Sequence, residues 1–258
     1  MGFQCKDLGV TYKTQNGELE ALTDVSFSVR DHEFVCLVGP SGCGKSTILK
    51  LVAGLLEPTL GTIAFDTVPA NGRPRNAMVF QEHGVFPWMN VIDNVAFGLE
   101  IRGVPREERR AIARRFIARV GLSHFEESHP HELSVGMRQR VSIARAFVND
   151  PEILLMDEPF GSLDAMTKMV MTEELMGIWS RQRKQVLYVT HDIEEAIMLG
   201  DRILVMTGRP GRIREEIEIR LPRPRDLRDR DSAEIVKIKE HVWEILEEEV
   251  RSGLREGS

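Results

Sequence analysis

The stretch GPSGCGKST, residues 39–47, decides the fold because an apolar run precedes it and a helical pattern follows it. The run FVCLVG ends in Gly39 and indicates a buried strand, and KSTILKLVAGL predicts a helix that ends near Gly54. The stretch matches the pattern G-x-x-x-x-G-K-[ST], in which glycines turn backbone N–H groups towards phosphate oxygens. Lys45 is expected to reach the β- and γ-phosphates and Ser46 to bind Mg²⁺. The predicted phosphate-binding residues are Gly39, Pro40, Ser41, Gly42, Cys43, Gly44, Lys45, Ser46 and Thr47.

A second apolar run, ILLMDE at 153–158, ends in two carboxylates. Asp157 can hold Mg²⁺, directly or through water, and Glu158 can polarise an attacking water. The two acids alone could equally be a helix cap within DEPFGS. The phosphate-binding stretch in the same chain favours catalysis, so the two motifs together predict a nucleoside triphosphatase.

The order of predicted elements indicates one α/β core with a helical insertion. Strands are predicted at 3–12, 22–29 and 34–38, and further strands at about 62–66 and 77–80 follow the first helix. The pattern between 92 and 147 is helical. After Pro151, strands such as QVLYV and RILVM alternate with helices, which implies a parallel sheet. Residues 1–220 are predicted to form the nucleoside triphosphatase domain, with the insertion at about 85–150. Residues 221–258 are predicted to be a polar linker (221–231) and a C-terminal helix with an apolar stripe.

Composition excludes several classes of protein. The 258 residues are 42% hydrophobic and 29% charged with a net charge of −6, so nucleic acid is not an expected partner. Cys5, Cys36 and Cys43 fit neither a disulfide framework nor a zinc motif, which favours a reducing compartment. We find no signal peptide and no apolar run of the roughly 18 residues that span a bilayer. A cytoplasmic location is predicted, with any membrane contact made through another protein.

The segment LSVGMRQR, residues 133–140, indicates the protein family. It resembles the signature motif of ATP-binding cassette (ABC) ATPases, whose usual form is Leu-Ser-Gly-Gly-Gln. The other family landmarks follow in order: Gln81 in VFQEHG, GSLD at 161–164 and His191 in VTHD, with Tyr12 ahead of the phosphate-binding stretch. The resemblance covers about residues 3–215. It implies a P-loop NTPase (RecA-like) α/β core with an antiparallel β subdomain and an inserted α-helical subdomain.

The resemblance also implies that two copies pack head to tail with two ATP molecules between them. Glu158 is then the general base, His191 contacts the γ-phosphate, and Tyr12 stacks on adenine. Two alternatives without a role in catalysis stay open: Tyr12 could be an edge-strand residue that binds no ligand, and His191 could cap a helix. The implied sets are Glu158, His191 and Gln81 for catalysis; Ser46, Gln81 and Asp157 for Mg²⁺; and Ser134, Gly136, Met137 and Asp164 for ATP bound by the other copy.

Two positions depart from the usual signature. Met137 replaces Gln, as in the nitrate/sulfonate/taurine-type importer branch that the chain resembles. Val135 replaces the first Gly, and its branched Cβ stiffens the backbone and occupies space near the phosphate. Gly136 remains at the position of the closest backbone donor. We therefore expect Val135 to be tolerated.

The stretch FQEHGVFPWMNVIDNVAFGLEIRG closely resembles the import subunits of that branch. In this family a permease docks near the segment after Gln81, so Phe86, Pro87, Trp88 and Met89 are predicted to contact it. The alternative is that Phe86 and Trp88 only pack the joint between subdomains. The expected partners are a second copy, an integral-membrane permease at the inner face of the cell membrane and, indirectly, a periplasmic or extracellular solute-binding protein. The expected solute is a small anionic nitrogen or sulfur compound.

Two other functions stay open from the sequence. A soluble cassette ATPase of DNA repair or translation usually carries a long coiled-coil insertion or two cassettes, and neither pattern is visible here. A non-hydrolysing, nucleotide-gated scaffold is suggested by Val135, but Glu158 and His191 argue against it.

Overall fold

A computed structural model describes residues 2–15, 17–66, 68–69, 73–81 and 84–256, and only the backbone of 227 and 252–256. The strands are β1 Gly2–Thr14, β2 Gly17–Arg30, β3 Phe34–Val38, β4 Leu60–Phe65, β5 Asn76–Val79, β6 Ile153–Asp157, β7 Gln185–Val189, β8 Arg202–Met206 and β9 Ile213–Glu218. The helices are α1 Lys45–Val52, α2 Val91–Ile101, α3 Arg106–Arg119, α4 Val135–Val148, α5 Ala165–Gln182, α6 Ile193–Leu199 and α7 Ala233–Glu256. The chain forms two compact units, one of Met1–Thr67 with Gln185–Ser258 and one of Val68–Lys184.

The first unit contains two kinds of sheet. β1 pairs antiparallel with β2 and with β4. β3 pairs in parallel with β7 and with β8, and β9 pairs antiparallel with β8. Every residue of β3, β7 and β8 is buried, as expected for parallel strands that are covered on both faces. These strands confirm the apolar runs FVCLV, QVLYV and RILVM as core strands.

The second unit holds the parallel strands β5 and β6 and the helices α2 to α5. α2 packs against α3 and α4, and α3 also contacts α4. The apolar faces of these helices supply their core, for example Ile92, Ile117 and Val141, each fully buried. The three helices lie within the region predicted to be the insertion. The domain boundaries themselves remain a prediction.

The α/β fold class is confirmed, and one strand was missed. β9, with the sequence IREEIE, carries mostly charged residues and was given no element by the sequence pattern. Its Glu216 pairs with Arg202 of β8 at 2.9 Å, and most of its side chains are exposed. An edge strand with charged side chains gives a weak alternating signal, which explains the omission.

The segment after β9 is not the plain polar linker that its composition predicts. Arg225 is 8% exposed, and its Nη1 donates to the backbone carbonyls of Ile197, Met198 and Gly200 at 2.7, 3.2 and 2.6 Å. Arg223 donates to Asp201 Oδ1 and to another carbonyl at the end of α6. Carbonyls at a helix C-terminus lack partners within the helix, and a guanidinium satisfies several at once. The segment is therefore anchored to α6.

We expect Arg225→Ala to lower the free energy of unfolding by roughly 2–4 kcal/mol, because several charged hydrogen bonds are lost at a buried position. The matched control is Arg228→Ala, since the Arg228 side chain is 90% exposed in the same segment and should change stability by less than about 0.5 kcal/mol. Urea unfolding followed by circular dichroism measures both. Equal shifts of the two midpoints would contradict the anchoring role.

The C-terminal helix agrees with its predicted apolar stripe. Ile235, Val242 and Ile245 of α7 are buried, and α7 contacts α6 and β8. All three cysteines are free and buried. Within the part of the chain that the structure describes, no helix has the length and apolar character needed to cross a bilayer.

Candidate functional site

The phosphate loop, residues 39–44, joins β3 to α1. Gly42 and Gly44 have φ angles of 77° and 102°, a left-handed region in which only glycine is unstrained. A Cβ on Gly39 would lie 2.9 Å from both Cys43 Sγ and Met206 Cβ, so no larger residue fits there. The loop leads into an eight-residue helix with no acid in its first turn. The positive end of this helix suits an anion.

Lys45 is folded onto this loop. It is 6% exposed, and its Nζ donates to the carbonyls of Gly39 and Pro40 at 2.8 and 2.9 Å. Cys43 Sγ lies 3.8 Å from the same nitrogen. The ammonium group is therefore fixed at the loop, where a triphosphate would find a localised positive charge. Burial raises the pKa of the Cys43 thiol, which keeps it neutral beside this lysine.

Tyr12 and His191 belong to the same unit as the loop. The Tyr12 hydroxyl lies 3.3 Å from the Thr47 hydroxyl, so this half-buried side chain contacts the end of the predicted phosphate-binding stretch. His191 follows β7 and is exposed, and Asp192, not His191, caps α6 by accepting from Glu195 N. The helix-cap reading of His191 is therefore not supported by its placement. Its role at the γ-phosphate stays a prediction.

The two acids leave the buried strand β6 in different environments. Asp157 is 7% exposed, whereas Glu158 is half-buried and has φ 41°, a strained left-handed conformation for a residue with a Cβ. Gly161 N donates to the Glu158 carbonyl at 3.0 Å, and a Cβ at Gly161 would lie 3.4 Å from Glu158 Oε2. The turn after β6 is thus closed by a backbone hydrogen bond and leaves Gly161 beside the Glu158 carboxylate. Strain of this kind is common at catalytic residues.

Gln81 is brought to the same sheet edge as these acids. β5 runs parallel to β6 with Val79 opposite Met156, so Gln81 and Asp157 follow the carboxyl ends of neighbouring strands. Gln81 is exposed, and its amide oxygen is a suitable hard ligand for a divalent cation. The described residues contain no group of three or more His, Cys, Asp or Glu able to hold a metal alone. Because Mg²⁺ keeps several water and phosphate ligands, a small number of oxygen donors from the protein suits it.

The signature segment forms the start of α4. Ser134 is the N-cap, and its Oγ accepts from Met137 N at 3.2 Å. Val135 is the first helical residue and 39% exposed, so its branched side chain sits at the surface with helical backbone. The N-terminus of α4 is therefore built normally despite the Val for Gly replacement.

A second helix start lies beside the first, which the sequence alone does not reveal. Asp164 caps α5 by accepting from Thr167 N at 3.1 Å, and a Cβ on Gly136 would lie 3.3 Å from Thr167 Cγ2. Hydrogen bonds from Thr167 hold the pKa of the Asp164 carboxyl below its usual value. The structure thus brings Ser134, Gly136, Met137 and Asp164 to one exposed region of the second unit.

The segment 86–89 is held by a polar residue that sequence reasoning missed. Asn94 Oδ1 accepts from Phe86 N at 2.7 Å, and Asn94 Nδ2 donates to the carbonyls of Phe86 and Met89 at 3.0 and 2.9 Å. Asn94 is fully buried in α2. Its signal in the sequence is a polar residue on an otherwise apolar helix face, one turn after Asn90. The bonds fix the shape of this segment.

The aromatic side chains of the segment have different surroundings. The Phe86 ring is half-buried and 4.7 Å from the Phe97 ring, so it packs against α2. Trp88 is 70% exposed, and Pro87 is also exposed. Phe86 therefore packs within the second unit, while Trp88, whose ring centre lies 5.4 Å from that of Phe86, stays largely exposed. The contact with a permease and the packing of a subdomain joint both remain predictions.

A groove of about 400 Å³ adjoins Phe86. Its walls include Phe86, Phe97, Ile101, Arg102, Arg145 and Asn149. The Arg145 guanidinium lies 5.0 Å from the Phe86 ring centre. Arg145 Nη1 and Asn149 Oδ1 are buried without a hydrogen-bond partner among the described residues. A mainly apolar groove with a few polar side chains in its walls suits an amphipathic segment.

The sequence profile of one family, described as ABC transporter, matches residues 22–161. An uncharacterised ABC transporter ATP-binding protein of Methanocaldococcus jannaschii is 44% identical over 97% of this chain and 93% of its own length. The nitrate import ATP-binding protein of a Synechocystis species is 46% identical over 86% of this chain and 84% of its own length. The taurine import ATP-binding protein of Yersinia pestis is 46% identical over 77% of this chain and 78% of its own length.

Solved structures agree in fold. A bacterial ABC transporter cassette solved as a dimer has a TM-score of 0.73 and 33% identity, and the match covers 85% of this chain and all of that one. A dimeric post-hydrolysis state of a cassette, with ADP and phosphate bound, has a TM-score of 0.73 and 32% identity over the same shares.

Proposed function

This chain is an ATPase of the ABC transporter family, and we propose that it drives the import of a small solute through a separate integral-membrane permease. The observation that carries the proposal is the 46% identity to two relatives named for import, one of nitrate and one of taurine. Nitrate is an anion and taurine carries a sulfonate group. We therefore propose an anionic nitrogen or sulfur compound as the solute, delivered to the permease by a solute-binding protein.

The phosphate loop would hold the triphosphate of ATP. Backbone N–H groups of 39–47 donate to phosphate oxygens, and Lys45 places its ammonium group at the β- and γ-phosphates. Tyr12 stacks on the adenine ring. Two observations support this assignment: Gly42 and Gly44 have left-handed backbone conformations, and the first turn of α1 contains no acidic residue.

Hydrolysis needs a water placed in line with the γ-phosphorus. Glu158 would accept a proton as the water oxygen attacks, while the bond to the bridging oxygen of ADP breaks. His191 and Gln81 orient the γ-phosphate and the water. Ser46, Gln81 and Asp157 would hold Mg²⁺, which neutralises phosphate charge when bound. The strained turn at Glu158 supports its assignment as the base.

We further propose that ATP closes a head-to-tail dimer of two copies and that hydrolysis reopens it. Ser134, Gly136, Met137 and Asp164 would then contact ATP held by the other copy. Their common exposed region, with two adjacent helix starts, supports this role. The dimeric state of the similar cassettes is a further argument.

The permease would dock on the segment 86–89 and the adjoining groove, at the inner face of the membrane. The exposed Trp88 and Pro87 offer apolar area to such a partner. Trp is one of the residue types, with Tyr and Arg, that are enriched among the residues that dominate binding energy at interfaces.

Trp88→Glu is expected to weaken capture of the permease by about 30-fold, the effect of losing roughly 2 kcal/mol at a central aromatic residue. The test purifies the tagged chain from detergent-solubilised membranes of the native host and identifies integral-membrane proteins by mass spectrometry. Trp243→Glu is the matched control, because Trp243 is 60% exposed in the other unit.

Capture that is lost with Trp88→Glu and kept with Trp243→Glu supports the docking surface. Wild-type chain that captures no membrane protein under the same conditions would contradict the transport function itself and favour a soluble cassette ATPase.

A further inference from the structure

Glu195 is a buried carboxylate that the proposed reaction does not use directly. It lies in α6 and is 6% exposed. Tyr188 Oη donates to its Oε1 at 2.7 Å, and Thr190 Oγ1 donates to its Oε2. Tyr188 and Thr190 are two positions apart at the end of β7, so both oxygens of the carboxylate are bound by one strand end.

The direction of these hydrogen bonds is fixed by charge. Burial, and next the negative charge of Glu195, raise the pKa of the Tyr188 hydroxyl well above its usual value. Burial likewise raises the pKa of the Cys36 thiol, and Glu195 adds to that shift. Both groups stay protonated, and Tyr188 remains a donor to the carboxylate. A buried carboxylate needs such donors because desolvation is costly without them.

These bonds hold the backbone on both sides of His191. Thr190 Oγ1, bound to Glu195, also accepts from Asp192 N at 3.0 Å. Asp192 Oδ1 in turn accepts from Glu195 N at 3.2 Å. Thr190 N donates to Leu37 O of β3 at 3.2 Å. His191 is thus an exposed residue between two residues that are tied to Glu195 and to the central strand.

We propose that Glu195 is a positioning residue for His191: it fixes the turn 190–192 so that the imidazole is presented in one direction. The inference rests on the proposed role of His191 at the γ-phosphate. Glu195 is buried and acts only through the turn. A carboxylate accepts from both hydroxyls at once. A Gln amide has one oxygen, so one hydroxyl would have to turn its hydrogen away and accept from the NH₂ group, which changes the bonds that hold the turn.

Glu195→Gln is expected to lower kcat for ATP hydrolysis by about tenfold to hundredfold, the range expected when a catalytic group is displaced by about 1 Å. The KM for ATP should stay within about twofold, because the phosphate loop and Lys45 are unchanged. In a His191→Ala background the same substitution should cause no further loss of kcat, because the group that it positions is already absent.

The matched control is Glu33→Gln. Glu33 is a second buried carboxylate in the same unit, 8% exposed, which accepts from Arg30 N at 2.7 Å and from Arg202 at 3.3 Å. It precedes β3, at the opposite end of that strand from the phosphate loop. Glu33→Gln should reduce thermal stability and leave kcat unchanged. If Glu195→Gln fails to fold, Thr190→Val at nearly constant volume removes both the donor to Glu195 and the acceptor of Asp192 N, and it should give the same pattern.

The outcomes separate the two claims. A loss of kcat with Glu195→Gln that vanishes in the His191→Ala background supports the positioning role. Equal losses in both backgrounds, or a kcat like that of Glu33→Gln, overturn it while leaving the role of His191 intact. A wild-type kcat for His191→Ala alone overturns the proposed role of His191 and this inference with it.

Discussion

Glu158→Gln is expected to lower the rate of ATP hydrolysis by roughly 10³-fold, because an amide cannot accept the proton of the attacking water. The substitution keeps side-chain volume, and Gly161 N still donates to the carbonyl of residue 158. ATP binding should therefore be retained. Release of phosphate from purified protein, measured at saturating Mg-ATP, gives the rate.

The matched control for this substitution is Glu152→Gln. Glu152 is a half-buried carboxylate directly before the same strand, β6, at the end opposite to Glu158. The rate of ATP hydrolysis by the Glu152→Gln variant should stay within about threefold of the wild-type rate. A Glu158→Gln rate that also stays within threefold would show that another group is the base.

The same variant reports on the dimer. With hydrolysis blocked, Mg-ATP should convert the Glu158→Gln chain from monomer to dimer, and light scattering measures the change in mass. If it binds ATP and stays monomeric, the test is repeated with Val135→Gly added. Dimer formation only in the double variant would show that Val135 weakens the contact, contrary to our expectation that it is tolerated.

Residues close together in the sequence carried most of the prediction. The phosphate loop is one continuous segment whose glycines are required by backbone angles, so its pattern determines its shape. The strands β3, β6, β7 and β8 are buried on both faces and appear as uninterrupted apolar runs. Local signals of this kind need no knowledge of the rest of the fold.

Contacts between residues that are distant in the sequence could not be predicted from the sequence. Arg225 looks like a solvated linker residue, yet it binds carbonyls more than 20 positions away. Asn94 and Arg145 look like ordinary helix residues until Phe86 is placed beside them. A polar side chain gives the same sequence signal whether water or a buried carbonyl satisfies it, so only the fold decides between them.

The candidate site also has a part that the sequence can predict and a part that depends on the fold. Gln81 and Asp157 could be predicted to share a sheet edge once their strands were assigned. The proximity of Gly136 to Thr167, and so of two helix starts, depends on how α4 and α5 pack. The resemblance to the family supplied these residues as one functional set. These residues lie close together in the structure, which explains physically why they could act as one set.

Two inactive variants are expected to restore activity to each other when mixed. Lys45→Ala removes the charge at the phosphates, and Ser134→Arg places a bulky cation at the exposed start of α4; each should lower turnover by roughly a hundredfold. Ser134 is exposed, so losing its cap should cost only about 1 kcal/mol of stability. His131→Arg, exposed three residues earlier, is the control and should keep wild-type turnover.

The recovery follows from where the two residues act. In a head-to-tail dimer each ATP contacts Lys45 of one copy and Ser134 of the other, so a mixed dimer combines both substitutions in one site and leaves the second site intact. Random pairing of equal amounts makes half of the dimers mixed, and roughly a quarter of all sites intact. Turnover of the mixture should therefore rise towards a quarter of the wild-type rate as the two proteins are titrated together. If both residues served the same ATP within one chain, every site would carry a substitution, and mixing would leave the rate at the sum of the two variants.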